Sequence, residues 1–396
     1  MEFTDSIIAR RMKDINGSAI REIFHLLAKP GMISFAGGNP ADTALETDVA
    51  ARLAVKALEK YGTSLIQYGA TEGFAPLKES AAQYFRDTAG VPATPDTLLP
   101  VQGSSQAFDL ILKALIDPGD VVLVESPTFL GALQAIRTYG ARIESIPTDE
   151  GGVIVDALEE QIKRYHPKMI YVIPTFQNPT GVTLAADRRR PLAQLAAKYG
   201  VLLCEDDPYR DLRYEGEPLP SIASYDAEGW VAYMGSFSKI IAPGLRVGAV
   251  IANKTLMRKL VIGKQSADVH SPMLNQAIVD GYIREDILMP HIRRILDDYR
   301  RQMNAMLDGF KYFPEGTVHT LPQGGLFVWA KLPRGMDALE LFPAAVEKNV
   351  AYVPGTHFYP DLGHTDTLRL NFSKSTVEEI GRGMKILGEV LGGNGR

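Results

Sequence analysis

MIYVIPTFQNPTGVTLAADRRRPLAQLAAKYGVLLCED, residues 169–206, is the stretch that decides the fold. It begins with a strand-length apolar run, Met169-Ile170-Tyr171-Val172-Ile173-Pro174, and ends with another, Val201-Leu202-Leu203-Cys204-Glu205-Asp206. Between them, Asp187 to Tyr199 carries apolar residues at helical spacing. Neither run alternates apolar with polar residues, so each strand is expected to be covered on both faces. Strand, helix and strand in that order predict a parallel sheet between two layers of helices. The alternation extends upstream through strands at Thr97–Gln102, Val121–Glu125 and Arg142–Pro147, separated by helices at Ala107–Leu115, Leu130–Tyr139 and Val155–Tyr165. Downstream, two apolar runs, Trp230–Gly235 and Val247–Ala252, flank the loop that contains Ser236, Ser238, Lys239 and Arg246. In such sheets ligands bind beyond the carboxyl ends of the strands, where these loops fall.

The flanks read differently. Ser18 to Leu27 is expected to form an amphipathic helix, stopped by Pro30-Gly31 and followed by a short strand running into Gly37-Gly38. Helices are expected at Thr47–Tyr61 and Pro76–Asp87, joined through the loop Gln67–Gly73, which carries Tyr68. After Asp286 a long charged helix, Leu288 to Phe310, precedes a hairpin-like segment, Gly316–Leu332, and a mixed tail. The expected fold class is therefore α/β, with a large domain at 41–286 and a smaller α+β domain made of 1–40 and 287–396.

Composition removes several function classes. A 396-residue chain with 45% hydrophobic and 22% charged residues is globular and long enough for two domains. Its formal net charge of −5 gives no general attraction to nucleic acid or to an anionic membrane. No apolar run approaches the length of a membrane span, and the N-terminus has no signal-peptide core. The single cysteine, Cys204, excludes an internal disulfide framework and fits a reducing, cytoplasmic setting. The seven histidines show no metal-binding spacing, so no metal is expected.

The loops carry the chemistry. Lys239 follows two hydroxyls, Ser236 and Ser238, and precedes Arg246 by seven residues. Hydroxyls and a guanidinium make an anion site beside an amine able to form a Schiff base. Gly103-Ser104-Ser105 opens a helix, where free N–H groups favour a phosphate; a serine N-cap is the ordinary alternative. Phe129 offers a flat face to an aromatic ring, or simply packs. Asn178, in a turn, can donate to a phenolic oxygen. Asp206 ends a buried strand, a costly place for a carboxylate unless a cation such as a protonated pyridine faces it.

The order Gly-Ser-Ser, Asn178-Pro179-Thr180-Gly181, Asp206-x-x-Tyr209, Ser236-x-Ser238-Lys239 and then Arg246 resembles the fold-type I pyridoxal-phosphate enzymes of aminotransferase class I and II, over nearly the whole chain. Ile33–Pro40 and Glu205–Tyr209 resemble the branch with 2-aminoadipate, kynurenine and broad-specificity aminotransferases. The resemblance implies pyridoxal 5′-phosphate as cofactor, with Lys239 as its Schiff-base lysine and proton shuttle. It implies that Asp206 pairs with the ring nitrogen, that Asn178 and Tyr209 bond the ring's 3′ oxygen, and that Phe129 stacks on the ring, where relatives often have tyrosine. Ser104, Ser105, Ser236, Ser238 and Arg246 would hold the phosphate. Arg369, in Thr367–Phe372, matches the family's carboxylate-binding arginine, and Tyr68 the tyrosine that reaches the neighbouring subunit's phosphate; the latter implies a homodimer with shared sites. Gly38 and Arg21 are candidates for the substrate side of the pocket, Arg21 as the second cation a dicarboxylate would need; a solvated helix face is the plain reading of Arg21.

The expected reaction is amino-group exchange between an amino acid and a 2-oxo acid. Two alternatives stay open at this point: another outcome of the same cofactor chemistry, such as decarboxylation or elimination, and a cofactor-bearing sensor domain like that of the MocR regulators. The sensor reading meets an acidic chain with only about 30 residues before the Gly37-Gly38 turn, too few for a winged helix.

Overall fold

The computed structural model describes residues 7–13, 15 and 31–393. The expected helix at Ser18–Leu27, with Arg21, lies outside them. The main sheet has seven strands: β1 (Leu98–Val101), β2 (Val121–Glu125), β3 (Arg142–Ile146), β4 (Met169–Val172), β5 (Leu202–Asp206), β6 (Val231–Ser236) and β7 (Gly248–Ile251). They are ordered β1-β7-β6-β5-β4-β2-β3. Every neighbouring pair is parallel except those of β7, which runs against both β1 and β6. The residues of β2, β4 and β5 are all buried, as their near-continuous apolar runs predict, and this burial extends to Glu125, Glu205 and Asp206 at the carboxyl ends. Pro100 is tolerated in β1 because β1 is an edge strand, paired on one side only.

A second sheet comprises β8 (Val318–His319), β9 (Phe327–Lys331), β10 (Val353–Pro354) and β11 (Thr367–Asn371), in the antiparallel order β8-β9-β11-β10. The helices Leu288–Gly309 and Val377–Leu391 pack together beside it. The second starts on a capping box in which the Thr376 hydroxyl accepts from Glu379 N and the Glu379 carboxylate accepts from Thr376 N. Ile33 and Ser34 pair in parallel with Val350 and Ala351, so the segment leading to Gly37-Gly38 is tied to residues far along the chain. One continuous apolar cluster runs from Ile33 to Leu391 through both sheets.

Residues 253–285, for which the sequence pattern yields no element, form two helices, Lys254–Asp268 and Met273–Arg284. The buried face of the first is Leu256, Met257, Leu260 and Lys264. A lysine at a core position interrupts the apolar periodicity by which a helix is recognised.

Candidate active site

A cavity of about 340 Å³ opens beyond the carboxyl ends of β4, β5 and β6. Gly38, Ser104, Ser105, Phe129, Asn178, Asp206, Tyr209, Ser236, Ser238, Lys239, Arg246 and Arg369 all line it. Residues from seven separate segments thus meet in one place. Tyr68 does not; it is 81% exposed on the surface of the same chain.

The cavity floor holds an anion cradle. The helix Ser104–Leu115 has Gly103 as its N-cap, and no side chain caps it. Ser104 and Ser105 stand inside the first turn, so the ordinary reading of a serine N-cap does not apply. Gly103 has φ +80°, and a Cβ there would lie 2.8 Å from Arg246 Nη2, so only glycine suits the position. Arg246, itself left-handed at φ 52°, donates through Nη2 to the Gln102 carbonyl at 2.5 Å and through Nη1 to the Pro243 carbonyl at 3.3 Å. The Ser236 hydroxyl accepts from Ser238 N at 3.2 Å, which folds the two serines toward each other.

Above the cradle, Asp206 is 5% exposed. Its Oδ2 accepts from the Tyr171 hydroxyl at 2.7 Å, while Oδ1 is buried and has no hydrogen-bond partner of good geometry among the described residues. Burial pushes this carboxyl up to about 6, against the pull of the Tyr171 and Ser104 hydroxyls. Asn178 Nδ2 donates to the Tyr209 hydroxyl at 3.4 Å, and burial pushes that hydroxyl up. Lys239 Nζ donates to the Gly38 carbonyl at 2.8 Å. Removal from solvent, helped by the charges of Arg246 and Arg369, pulls its amine down to about 8.

At the other end is Arg369, on β11. Its Nη1 donates to Asn178 Oδ1 at 2.8 Å and its Nη2 to the Ala36 carbonyl at 2.6 Å. Its guanidinium lies over the rings of Phe327 and Phe358, at 4.4 and 5.0 Å from their centroids. Both hydrogen-bond partners are neutral, and among the described residues Nε is buried without a partner. Burial pulls its pKa down to about 10. A buried cation with no counter-charge is costly, and an anionic ligand relieves that cost. Gly38 sits against this end: a Cβ there would come within 3.1 Å of Phe327 Cζ.

Two residues that matter here were missed by sequence reasoning. Tyr171 looks like an apolar core position in β4; its signal was a phenol in an aliphatic run beside the strand that ends in Asp206. Phe327, which supports Arg369 and meets Tyr209 edge-on at 5.8 Å, lies in a hairpin whose pattern marks burial only.

An amine, an unpartnered carboxylate oxygen and an anion cradle around one cavity fit pyridoxal phosphate: Lys239 for the aldehyde, Asp206 Oδ1 for the ring N–H, and the cradle for the phosphate. This α/β fold with this site defines a pyridoxal-phosphate enzyme. Residues 30–387 match aminotransferase class I and II, and the chain belongs to that family. It is 41% identical to aromatic-amino-acid aminotransferase 1 of Thermococcus litoralis over 383 residues, 95% of this chain and 92% of the relative. Two solved structures are also similar. Kynurenine aminotransferase of Pyrococcus horikoshii has a TM-score of 0.94 at 38% identity, covering 98% of this chain and 97% of that one. The α-aminoadipate aminotransferase LysN of Thermus thermophilus, complexed with N-(5′-phosphopyridoxyl)-L-leucine, has a TM-score of 0.90 at 39% identity, covering 97% of each. The protein is a pyridoxal-phosphate-dependent aminotransferase that exchanges amino groups between amino acids and 2-oxo acids. Among the described residues no helix is long and apolar enough to cross a membrane.

Proposed function

We propose that this aminotransferase takes aromatic L-amino acids and 2-aminoadipate as amino donors and works as a cytoplasmic homodimer with shared sites. The observation that carries the reading is Arg369, buried between two aromatic rings with neutral partners and an unpartnered Nε. It is the fixed anchor for an α-carboxylate, which its planar fork binds better than an ammonium would. The relatives' names support the donor classes. Phe129, Leu130 and Phe327 supply apolar wall for an aromatic side chain. Among the described residues the cations lining the cavity are Lys239, Arg246 and Arg369; Arg21, outside the described residues, stays the candidate from the sequence for the distal carboxylate of 2-aminoadipate. Tyr68 is assigned to the neighbouring subunit's phosphate, which accounts for its exposure in one chain. Residues 41–286 form the cofactor domain; pairing of Ile33–Ser34 with Val350–Ala351 supports grouping 1–40 with 287–396.

Pyridoxal phosphate, when bound, supplies the electron sink for the charge left on the substrate Cα. The chain's residues do the rest. Arg369 holds the α-carboxylate and so orients the Cα–H bond. Lys239 Nζ, with its amine lowered toward neutral pH, takes the Cα proton and returns it to the far side of the exchanged C–N bond. Asp206 presents its unpartnered oxygen to the ring nitrogen, and Asn178 and Tyr209 hold the 3′ oxygen.

The test is a screen of amino donors against 2-oxoglutarate and pyruvate, with Lys239→Ala as control. Turnover of phenylalanine, tyrosine and 2-aminoadipate, lost in Lys239→Ala, is expected. Exclusive use of small aliphatic donors would overturn the donor assignment, and substantial transamination by the variant would overturn the role of Lys239.

A further inference from the structure

Behind the anion cradle, and outside the cavity lining, lies a four-residue polar network that the reaction does not use. Gln102 Nε2 and Gln106 Nε2 both donate to Asp268 Oδ2, at 2.6 and 2.7 Å. Lys264 Nζ donates to both Asp268 oxygens, at 3.0 and 2.8 Å, and to Gln106 Oε1 at 3.0 Å. Gln106 Oε1 also accepts from the backbone N–H of Gln102 at 2.8 Å. The Lys264 side chain is wholly buried.

A fully buried lysine is an expensive core residue; an apolar side chain of similar size usually gives an equal or better core. Its charge has one clear product. Burial raises the Asp268 carboxyl, but Gln106, Lys264 and Gln102 together outweigh that and hold it below the usual carboxylate range. Asp268 is thereby kept an ionised acceptor for two amides at once. Those amides belong to the residue before Gly103 and to the first helical turn after it. Gly103 has no side chain and a positive φ; its N–H donates to the Val101 carbonyl at 2.9 Å and its carbonyl accepts from Gln106 N at 3.1 Å, so the only side chains fixing this turn are those of its neighbours, Gln102 and Gln106 among them. The Gln102 carbonyl in turn accepts from Arg246 Nη2.

We propose that Lys264 and Asp268, acting through Gln102 and Gln106, are positioning residues that hold the Gln102-Gly103 peptide and Arg246 in register for the cofactor's phosphate. None of the four touches the cofactor site; their effect is confined to the phosphate end. The inference rests on the pyridoxal-phosphate reading of the cavity.

The test measures apoprotein affinity for pyridoxal 5′-phosphate and for pyridoxal, which lacks the phosphate, in wild type, Asp268→Asn and Gln102→Ala. Gln102→Ala keeps the Lys264–Asp268 pair and guards against simple misfolding. Both variants should bind pyridoxal phosphate about tenfold or more weakly, the scale of a misaligned charge-assisted hydrogen bond. Their affinity for pyridoxal should stay within about twofold, on the same scale. An unchanged preference for the phosphorylated form overturns the proposal, whether both affinities hold or both fall together. If wild type binds neither compound, the cofactor reading itself fails, and this inference with it.

Discussion

Replacing Asp206 with asparagine should stabilise the apoprotein at pH 7.5, although Asp206 lines the site. The side chain is 5% exposed, Oδ1 has no hydrogen-bond partner of good geometry among the described residues, and Oδ2 has only the Tyr171 hydroxyl. Burial moves the carboxyl from 3.8 to about 6, with the Tyr171 and Ser104 hydroxyls working in the other direction. A carboxyl whose pKa is raised by folding is more easily ionised in the unfolded chain. Its penalty is absent below about pH 3.8, grows as pH rises through the interval, and is complete above about 6. That interval corresponds to roughly 3 kcal/mol. Asparagine still accepts from Tyr171 and carries no charge. At about 2.1 cal/mol/K of unfolding entropy per residue, a chain of this size gains roughly 3–4 °C in Tm. Calorimetry on apoprotein should show that gain at pH 7.5 and about half the free-energy difference at pH 5, by proton linkage. With pyridoxal phosphate the order should reverse, because wild type then pairs its charge with the protonated ring. A less stable Asp206→Asn apoprotein at pH 7.5, or a gain that does not shrink at pH 5, would refute the reasoning.

Arg369→Lys should lower kcat/KM for α-amino acid donors about 100-fold or more. One ammonium cannot hold the Asn178 and Ala36 oxygens and also grip a carboxylate in two places, and each charge-assisted hydrogen bond lost is worth about 1.5–3 kcal/mol. A steady-state loss of less than about fivefold would contradict the anchor role. The lowered Lys239 amine sets a pH profile. Because its pKa is depressed, half of the amine is the neutral nucleophile at about pH 8. Stopped-flow absorbance of pyridoxal phosphate capture by apoprotein should therefore rise through a midpoint near pH 8 and level about one unit above it; a rate whose midpoint lies near the ordinary lysine value would mean the lysine is not held as described.

The parallel sheet was legible in the sequence because strands covered on both faces are apolar over most of their length, as β2, β4 and β5 are apart from Glu125, Glu205 and Asp206 at their carboxyl ends. The reversed direction of β7 was not, since periodicity reports burial and says nothing of strand direction. The helix Lys254–Asp268 escaped because Lys264 occupies a core position, and Tyr171 escaped because a buried phenol and a buried apolar ring look alike in a pattern. Arg369 is 130 residues from Lys239, a separation with no local signal; only the family resemblance linked them. What no sequence pattern contains is which buried polar atoms stay unpaired. Among the described residues two of those atoms belong to side chains that line the cavity. Asp206 Oδ1 at one end of the cavity wants a cation, and Arg369 Nε at the other wants an anion. On the proposed reading a protonated pyridine ring would satisfy the first and an amino acid's carboxylate the second, so cofactor and substrate would be held by two different unpaired atoms of one cavity that Lys239 also lines.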